Sequence, residues 1–243
     1  MSEYFIPARP GEAEFTEKRS RFLGHIRHVD REEEAKAFVN QIKKEHYDAR
    51  HNCWCYLLRG GVERYSDDGE PQGTAGIPML EVFRREGVTD MVCVVTRYFG
   101  GVLLGAGGLL RAYTKSAKDA LDAAGIAVVR PWVEAEVPCS YAMAERLKNE
   151  VTAMGGQVAG MDYAAGVTIR ALVPQEGFEA FNARIFDVSN GSVTPLAVGE
   201  THQAVRIKSH NSSSPGGAAK AAAPGLEVLS AQTAEYAAFY FFK

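Results

Sequence analysis

The feature that most constrains this chain is a pair of glycine-rich, charge-bearing segments. The acidic loop (65–76) reads Tyr-Ser-Asp-Asp-Gly-Glu-Pro-Gln-Gly-Thr-Ala-Gly, and the glycine loop (97–108) reads Arg-Tyr-Phe-Gly-Gly-Val-Leu-Leu-Gly-Ala-Gly-Gly. Glycine loses more conformational freedom on folding than other residues, so such clusters mark places where the backbone bends sharply or approaches something closely. We therefore predict that the two loops form the functional surface.

The stretches around the loops carry helix and strand patterns. Asp30 can cap a helix, with Glu33 placed as in a capping box, and apolar residues at helical spacing follow, so we predict a helix over 31–46. Short apolar runs and turn residues predict the other elements of the first half: strands over 53–58 and 91–95, and helices over 78–85 and 109–124. The glycine loop is then a strand-to-helix turn.

This turn is a candidate anion site. The N-terminus of a helix offers free N–H groups and a positive dipole end, with Arg97 before it and Arg111 in its first turns, and a phosphate is the natural ligand. In the alternative, the glycines only allow close packing, and the arginines pair with Asp67, Asp68 or Glu70. Anion binding and internal pairing can each apply in a different state of the protein.

Nucleic acid is one source of such a phosphate. Tyr98 and Phe99 beside Arg97 can stack on bases, or one ring can be core and the other a lid over the glycines. The residues predicted to contact an anion or nucleic acid are Arg50, His51, Thr74, Arg97, Tyr98, Gly100, Gly101, Gly105, Gly107, Gly108 and Arg111.

Other chemistry has weaker support. The carboxylates of 67–70 are possible magnesium ligands, but Asp-Gly and Glu-Pro are also ordinary turn dipeptides, so the turn is favoured. Cys53 and Cys55 lack the second pair that a zinc site needs. Nucleophilic catalysis could use Ser66, Thr74 or Cys53 as nucleophile and His51 as base, but the sequence has no nucleophile-elbow pattern. We expect no metal and no cofactor, and leave catalysis open.

Composition limits the class of protein. The chain has 243 residues and 46% hydrophobic residues, enough for one or two globular domains. Its net charge of -3 excludes a protein coated in positive charge, but not a local basic patch. No apolar run is long enough to span a membrane. The four cysteines lie mostly in apolar runs rather than at the spacings of a disulfide framework. These features favour the cytoplasm and no membrane partner.

The second half follows a different pattern. Pro131 and Trp132 suggest a hinge, after which strand, helix, two strands, helix and strand succeed one another, the order of a ferredoxin-like fold. The predicted elements lie at 133–139, 141–154, 157–163, 167–173, 176–185 and 192–200. We therefore expect an α+β protein with domains at 1–130 and 132–207. Residues 208–243 read as a flexible linker and an atypical aromatic tail.

The two loops, together with Arg50-His51-Asn52-Cys53, resemble the signature of the IMPACT/YigZ family of two-domain proteins linked to translation. The resemblance implies an N-terminal domain with the fold of the second domain of small-subunit ribosomal protein five. It also implies a ferredoxin-like C-terminal domain similar to the fifth domain of elongation factor G. The motif covers the charged residues Arg50, His51, Asp67, Asp68, Glu70, Arg97 and Arg111, and the glycines of both loops.

The resemblance suggests a ribosome, an RNA or a translation factor as the partner. The first function class is thus a non-enzymatic, translation-associated binder of structured RNA phosphate. The second is an enzyme acting on a phosphorylated or acyl substrate through Asp67, Asp68 or Glu70. The third is a protein–protein adaptor that uses the loops as a rigid surface. The sequence does not decide among the three, or the number of chains that assemble.

Overall fold

The computed structural model describes residues 3–206 and the backbone of Glu227 and Val228. These residues belong to two compact units. One comprises Tyr4–Val128 with residues 204–206, and the other comprises Val129–Gln203 with Glu3. Apart from Glu227 and Val228, the predicted linker and aromatic tail lie outside the described residues.

The first unit is built on a five-stranded sheet with the order β2-β3-β6-β4-β5, in which all neighbours are antiparallel. Its elements are β1 (Tyr4–Pro7), β2 (Gly11–Glu17), β3 (Ser20–His28), α1 (Glu32–Glu45), β4 (His51–Leu58), β5 (Val62–Ser66), α2 (Gly76–Glu86), β6 (Met91–Tyr98) and α3 (Ala106–Ala124).

Alternation along the strands sends side chains to two cores. On the central strand β6, Met91, Cys93 and Val95 face α2 and α3, whereas Val92 and Val94 face α1. A strand buried on both faces reads as a continuous apolar run, which is why 91–95 gave a clear strand signal. Helix α1 therefore packs on one face of the sheet, and α2 and α3 pack on the other.

Helix α3 lies very close to the sheet. A Cβ atom on Gly11 would stand 2.4 Å from the carbonyl oxygen of Ala120, and one on Gly24 would stand 2.6 Å from that of Ser116. The facing side of α3 carries small residues, among them Ala117, Ala120 and Ala124. This close packing fixes the position of α3, and with it the glycine loop at its N-terminus.

The second unit has the ferredoxin-like order of elements. They are β7 (Ile126–Cys139, which begins in the first unit), α4 (Tyr141–Ala153), β8 (Gln157–Tyr163), β9 (Val167–Pro174), a 3-10 turn (Gln175–Gly177), α5 (Phe178–Val188) and β10 (Leu196–Arg206). The strand order is β10-β7-β9-β8, and the backbone of β11 (Glu227–Val228) pairs with the end of β10. Leu147 and Phe181 from the two helices pack on Val137 and Ile169 of the sheet. The predicted α+β class is confirmed.

The structure differs from several of the sequence-based predictions. Arg31, rather than Asp30, occupies the N-cap position of α1 and makes no side-chain cap, and Glu34, rather than Glu33, accepts the N–H of Asp30 at 3.0 Å. The expected hinge at Pro131 and Trp132 is wrong, because both residues lie inside strand β7. Helix α3 starts at Ala106, three residues earlier than predicted. Strands β1, β2, β3 and β5 had no assignment.

Among the described residues, no helix is both long enough and apolar enough to cross a membrane.

Candidate functional site

The two loops lie at the same end of the five-stranded sheet. Strand β6 ends there at Tyr98, β4 begins there at His51, and β3 begins there at Ser20. The register places Arg97 between its two cross-strand partners, Phe22 of β3 and His51 of β4. The fold therefore brings residues from both predicted loops, and from the β2–β3 turn, into one cluster.

A buried ion pair joins the loops. Nη1 of Arg97 donates to Oε1 of Glu70 at 2.7 Å, and both side chains are almost fully buried, with 5% and 3% exposed. The hydroxyl of Tyr113, on α3, donates to the same oxygen at 2.8 Å. Nη2 of Arg97 reaches Oγ of Ser20 at 3.3 Å. Glu70 thus ties the acidic loop to β6 and α3 at once.

This arrangement gives Arg97 a structural role. Its guanidinium lies near the rings of Phe22 and Phe99, each with its centroid 5.5 Å away, and its positive charge faces Glu70. Removing the cation from this carboxylate would leave a buried charge without a partner, which is strongly unfavourable. Arg97 was predicted to contact an anion directly, and the structure instead places it beneath the loops. Burial also raises the pKa of Tyr113, so the phenol stays protonated and keeps its donor.

Asp67 holds the acidic loop against the start of α2. Its carboxylate accepts the N–H groups of Gly73 at 2.8 Å, Ala75 at 3.0 Å and Gly76 at 2.8 Å. The N–H groups of Ala75, at the N-cap, and of Gly76, the first helical residue, are among the donors that the start of a helix leaves without a partner. Asp67 therefore caps α2 from a distance, because no side chain of the N-cap residue does so.

Asp68 is also occupied. Its carboxylate accepts the N–H of Asn52 at 2.7 Å and pairs with Nζ of Lys43 at 2.6 Å. Its φ of 43 lies in the left-handed region, as does that of Gly69, because the two are the central residues of a turn closed by the N–H of Glu70 on the carbonyl of Asp67. With Asp67, Asp68 and Glu70 all bonded within the fold, none of these three carboxylates offers a free set of oxygens for magnesium or for a general base.

The candidate nucleophiles are held in a similar way. Sγ of Cys53 donates to the carbonyl of Asp67 at 3.0 Å, and burial raises the pKa of this thiol, which therefore stays protonated. Oγ of Ser66 accepts the N–H of Asp68, and Thr74 donates to the carbonyl of Pro71 at 2.7 Å. These contacts explain the three residues as parts of the loop's own structure.

His51 is fixed by the acidic loop as well. Its Nδ1 lies 2.9 Å from the carbonyl oxygen of Asp68, and because a carbonyl only accepts, Nδ1 carries the proton. Nε2 lies 3.9 Å from Oε1 of Glu70. The imidazole thus orients the loop rather than activating any of the predicted nucleophiles.

The glycine loop is open where the acidic loop is closed. Gly105 is the N-cap residue of α3, with φ 73 and ψ 164, no side-chain cap and no acidic residue in the first turn of the helix. A Cβ atom on Gly101 or Gly105 would meet nothing within 4 Å, and one on Gly107 would meet only the end of the Arg111 side chain at 3.6 Å. The free N–H groups at the start of α3 are therefore approachable.

Gly100 and Gly108 serve packing instead, and a Cβ atom on Gly108 would stand 3.0 Å from Cβ of Leu104. A Cβ atom on Gly100 would stand 2.1 Å from the backbone of Arg19, so the loop lies directly against the turn between β2 and β3. The N–H of Gly100 also donates to Oγ of Ser20 at 3.2 Å. This contact brings the turn residues Lys18 and Arg19 beside the glycine loop.

Four exposed cations surround the open loop: Lys18, Arg19, Arg50 and Arg111. Within residues 3–206, no ion pair holds any of them. No motif in the sequence indicates that Lys18 and Arg19 belong to this surface. Both have φ in the left-handed region, at 44 and 67, in a two-residue turn without the usual Asn-Gly signal. The sequence clue to this turn is the alternation of apolar and polar residues on both sides of it, from Ala13 to Ile26, which is typical of two paired strands.

The aromatic pair divides its roles. The hydroxyl of Tyr98 contacts Nδ1 of His46 at 3.0 Å and donates to Asp48 at 3.1 Å. These bonds hold the Tyr98 side chain against the segment that follows α1. Phe99 is 39% exposed, and the guanidinium of Arg50 lies 5.7 Å from its centroid. Of the two rings, Phe99 with the neighbouring Arg50 is thus the better surface for stacking on a base.

The structure holds one further group with metal-ligand chemistry. Among the described residues, the potential ligand atoms of His28, Asp30 and Asp90 lie within 4.8 Å of one another. Asp90 already pairs with Nε of Arg59 at 2.5 Å and accepts the N–H of the same residue. The group lies at the opposite end of the sheet from the loops, where β3 ends and β6 begins.

Two family models match separate stretches of the chain. The family model of the Impact N-terminal domain matches residues 18–121, which include both loops and all four exposed cations. A second model, a domain of unknown function termed DUF1949, matches residues 137–192. The chain is 36% identical over 193 residues to IMPACT family member YvyE of Bacillus subtilis, covering 79% of this chain and 89% of that protein.

It is also 37% identical over 204 residues to IMPACT family member YigZ of Escherichia coli, covering 82% of this chain and 100% of that protein. This chain belongs to the IMPACT family. A crystal structure of a hypothetical protein has a TM-score of 0.52 to it, with 36% identity over 82% of this chain and 98% of the other. The resemblance stated from the loop motifs is thus confirmed.

Proposed function

We propose that this IMPACT family protein binds structured RNA, such as that of the ribosome, through the glycine-loop end of its first unit, and thereby takes part in translation. The observation that carries the proposal is the open N-terminus of α3, which has no cap and no acidic residue in its first turn. Backbone N–H groups and a positive dipole end are suited to a phosphate.

The surrounding charges fit the same ligand. Arg111 lies on the second turn of α3, Lys18 and Arg19 lie on the adjoining turn, and Arg50 lies beside Phe99. Cations spread over one end of a domain contact several phosphates along a strand, which gives sequence-independent affinity that falls with salt. The net charge of -3 belongs to the whole chain and does not oppose this local patch.

The acidic loop holds the elements that carry the glycine loop in place. Glu70 and Arg97 hold the end of β6, Asp67 holds the start of α2, and Tyr113 connects Glu70 to α3. A rigid base keeps the glycine loop in place, and a preformed site binds with a smaller entropy cost. The carboxylates of this loop are thus positioning groups and do not contact the RNA.

One observation favours an adaptor as the second candidate. Leu103 is 83% exposed, and Val102, Phe99 and Leu110 are also partly exposed on or next to the same loop. A cluster of exposed apolar side chains is typical of a surface that contacts another protein. Such binding depends little on salt, which separates it from RNA binding.

The test is cosedimentation with ribosomes over a series of salt concentrations. The variant Arg50→Glu, Arg111→Glu removes two exposed cations, whereas Arg97→Glu is unsuitable because Arg97 belongs to the buried ion pair. Wild type should sediment with ribosomes at low salt and dissociate as salt rises, and the double variant should not sediment.

The matched control is Arg146→Glu, an exposed arginine on α4 of the second unit, which should sediment like the wild type. Binding that resists salt and survives the double variant would exclude the phosphate site and favour the adaptor.

A further inference from the structure

A cavity of about 260 Å³ lies beside the first turns of α3. Its floor is apolar, with Phe15 of β2, Leu104 of the glycine loop and Ala112 of α3. The ring of Phe15 stacks on that of Phe22, with centroids 5.2 Å apart, so this side of the cavity is a firm part of the core. A cavity this small takes one compact chemical group rather than a large ligand.

The rim of the cavity is cationic. Lys18, Arg111 and Lys115 line it together with one carboxylate, Glu17, so the formal charge of the lining is three minus one, or +2. Lys115 also contacts Asp119 and lies 5.0 Å from the centre of the Phe15 ring, whereas Lys18 and Arg111 have no such partner among the described residues. Lys18 and Arg111 approach from different elements, the β2–β3 turn and α3.

We infer that this cavity binds a terminal phosphate, a phosphomonoester, in preference to an internal phosphodiester of a nucleic acid chain. The inference rests on the proposed function, since it states which phosphate of a bound RNA enters the cavity. The same chemistry occurs in a free mononucleotide, and the experiment below separates the two sources.

Charge and shape both support the monoester. A monoester carries between one and two negative charges near neutral pH and an internal phosphodiester carries one, so Lys18 and Arg111, the cations of the lining without a partner among the described residues, attract the monoester more strongly. A monoester also presents three oxygens on one side, within reach of cations that come from several directions. An internal phosphodiester has a sugar on each side, which a single small cavity does not accommodate.

The experiment uses the full chain and two versions of one short RNA hairpin with a single-stranded 5′ end. One version ends in a 5′-phosphate and the other in a 5′-hydroxyl, and both carry a fluorophore at the 3′ end. Anisotropy titration should give about tenfold tighter binding of the phosphorylated RNA, the size of one additional charge-assisted contact. The preference should shrink at about pH 5, where the monoester loses its second charge.

Three variants locate the effect. Lys18→Gln and Arg111→Gln should each remove most of the preference for the 5′-phosphate, because both cations line the cavity. Arg50→Gln is the matched control: it lies outside the cavity lining, so it should weaken both RNAs equally and leave the preference unchanged. Circular dichroism of each variant should match the wild type, since all three side chains are exposed.

The outcomes are distinct. Salt-sensitive binding with equal affinity for the two RNAs would overturn the inference and leave the proposed function standing. Binding of adenosine monophosphate but not adenosine, with no RNA binding, would support the phosphomonoester site and overturn the RNA proposal. A preference that survives both Lys18→Gln and Arg111→Gln would place the monoester elsewhere and overturn the inference.

Discussion

The acidic loop and the glycine loop have the same sequence signal, glycines next to charged residues, but opposite structural roles. In the acidic loop, every carboxylate is bonded inside the fold: Asp67 to three backbone N–H groups, Asp68 to Lys43 and Asn52, and Glu70 to Arg97 and Tyr113. In the glycine loop, Gly101 and Gly105 face open space, and the start of α3 has no cap.

The comparison teaches that charge near glycine does not by itself indicate a binding site. The hydrogen bonds that a loop makes to itself decide whether its polar groups remain available to a ligand. The acidic loop satisfies its own groups and is a scaffold. The glycine loop leaves donors free and is the candidate surface.

The largest effect on stability is expected at the ion pair between the loops. Arg97→Ala should lower the free energy of unfolding by about 3–5 kcal/mol, because it leaves Glu70 buried without its cation. Urea unfolding followed by circular dichroism measures this change. Adding Glu70→Gln to Arg97→Ala removes the stranded charge and should recover part of the loss. A loss below about 1 kcal/mol for Arg97→Ala would show that the pair does not secure the scaffold.

Asp67→Ala should have the next largest effect, about 2 kcal/mol, since three backbone N–H groups lose their acceptor, two of them at the start of α2 and one, Gly73, just before it. The same unfolding experiment measures it. Glu17→Ala provides the control, because that carboxylate is exposed and should change stability by no more than about 0.5 kcal/mol. Equal stability of the two variants would show that the hydrogen bonds of Asp67 do not secure the acidic loop.

A pair of glycine variants tests the backbone of the glycine loop. Gly105→Ala should cost about 1–2 kcal/mol, because φ 73 with ψ 164 is a conformation that only glycine adopts readily. Gly107→Ala lies within α3 and meets only Arg111 at 3.6 Å, so it should be neutral or stabilise by up to about 0.5 kcal/mol. Thermal unfolding of the two variants measures the difference, and an equal cost at both positions would contradict this conformation of the loop.

The smallest effect on stability is expected for the exposed cations. Arg50→Gln and Arg111→Gln should each change the free energy of unfolding by less than about 0.5 kcal/mol while weakening RNA binding. Parallel urea titrations and RNA binding curves separate the two effects. If either variant lost stability like Asp67→Ala, its cation would belong to the scaffold instead of the surface.

Much of the fold was predictable from local patterns. The apolar run at 91–95 and the helical spacing after Asp30 each identified an element whose position the structure confirms, with shifts at the ends. The ferredoxin-like order of the second unit followed from the sequence of strands and helices. Local periodicity works here because each of these elements buries a regular face.

The site was less predictable because its contacts join distant residues. Pairing of an arginine with Asp67, Asp68 or Glu70 was one of two interpretations, but the choice of Arg97 and Glu70 depends on the register of β4 and β6. Tyr113 and Ser20 complete the cluster from α3 and β3, and no short motif connects them to Glu70. Lys18 and Arg19 were missed because a turn without glycine or asparagine gives a weak signal.

The most direct test of the division between the loops is the salt dependence of affinity for one structured RNA hairpin. The account predicts that Arg111→Gln lowers the slope of log K against log salt by about 0.7–0.9, the loss of one phosphate contact. Asp68→Asn, in the scaffold, should leave that slope unchanged. An unchanged slope for Arg111→Gln, or an equal change for Asp68→Asn, would contradict the assignment of RNA binding to the glycine loop.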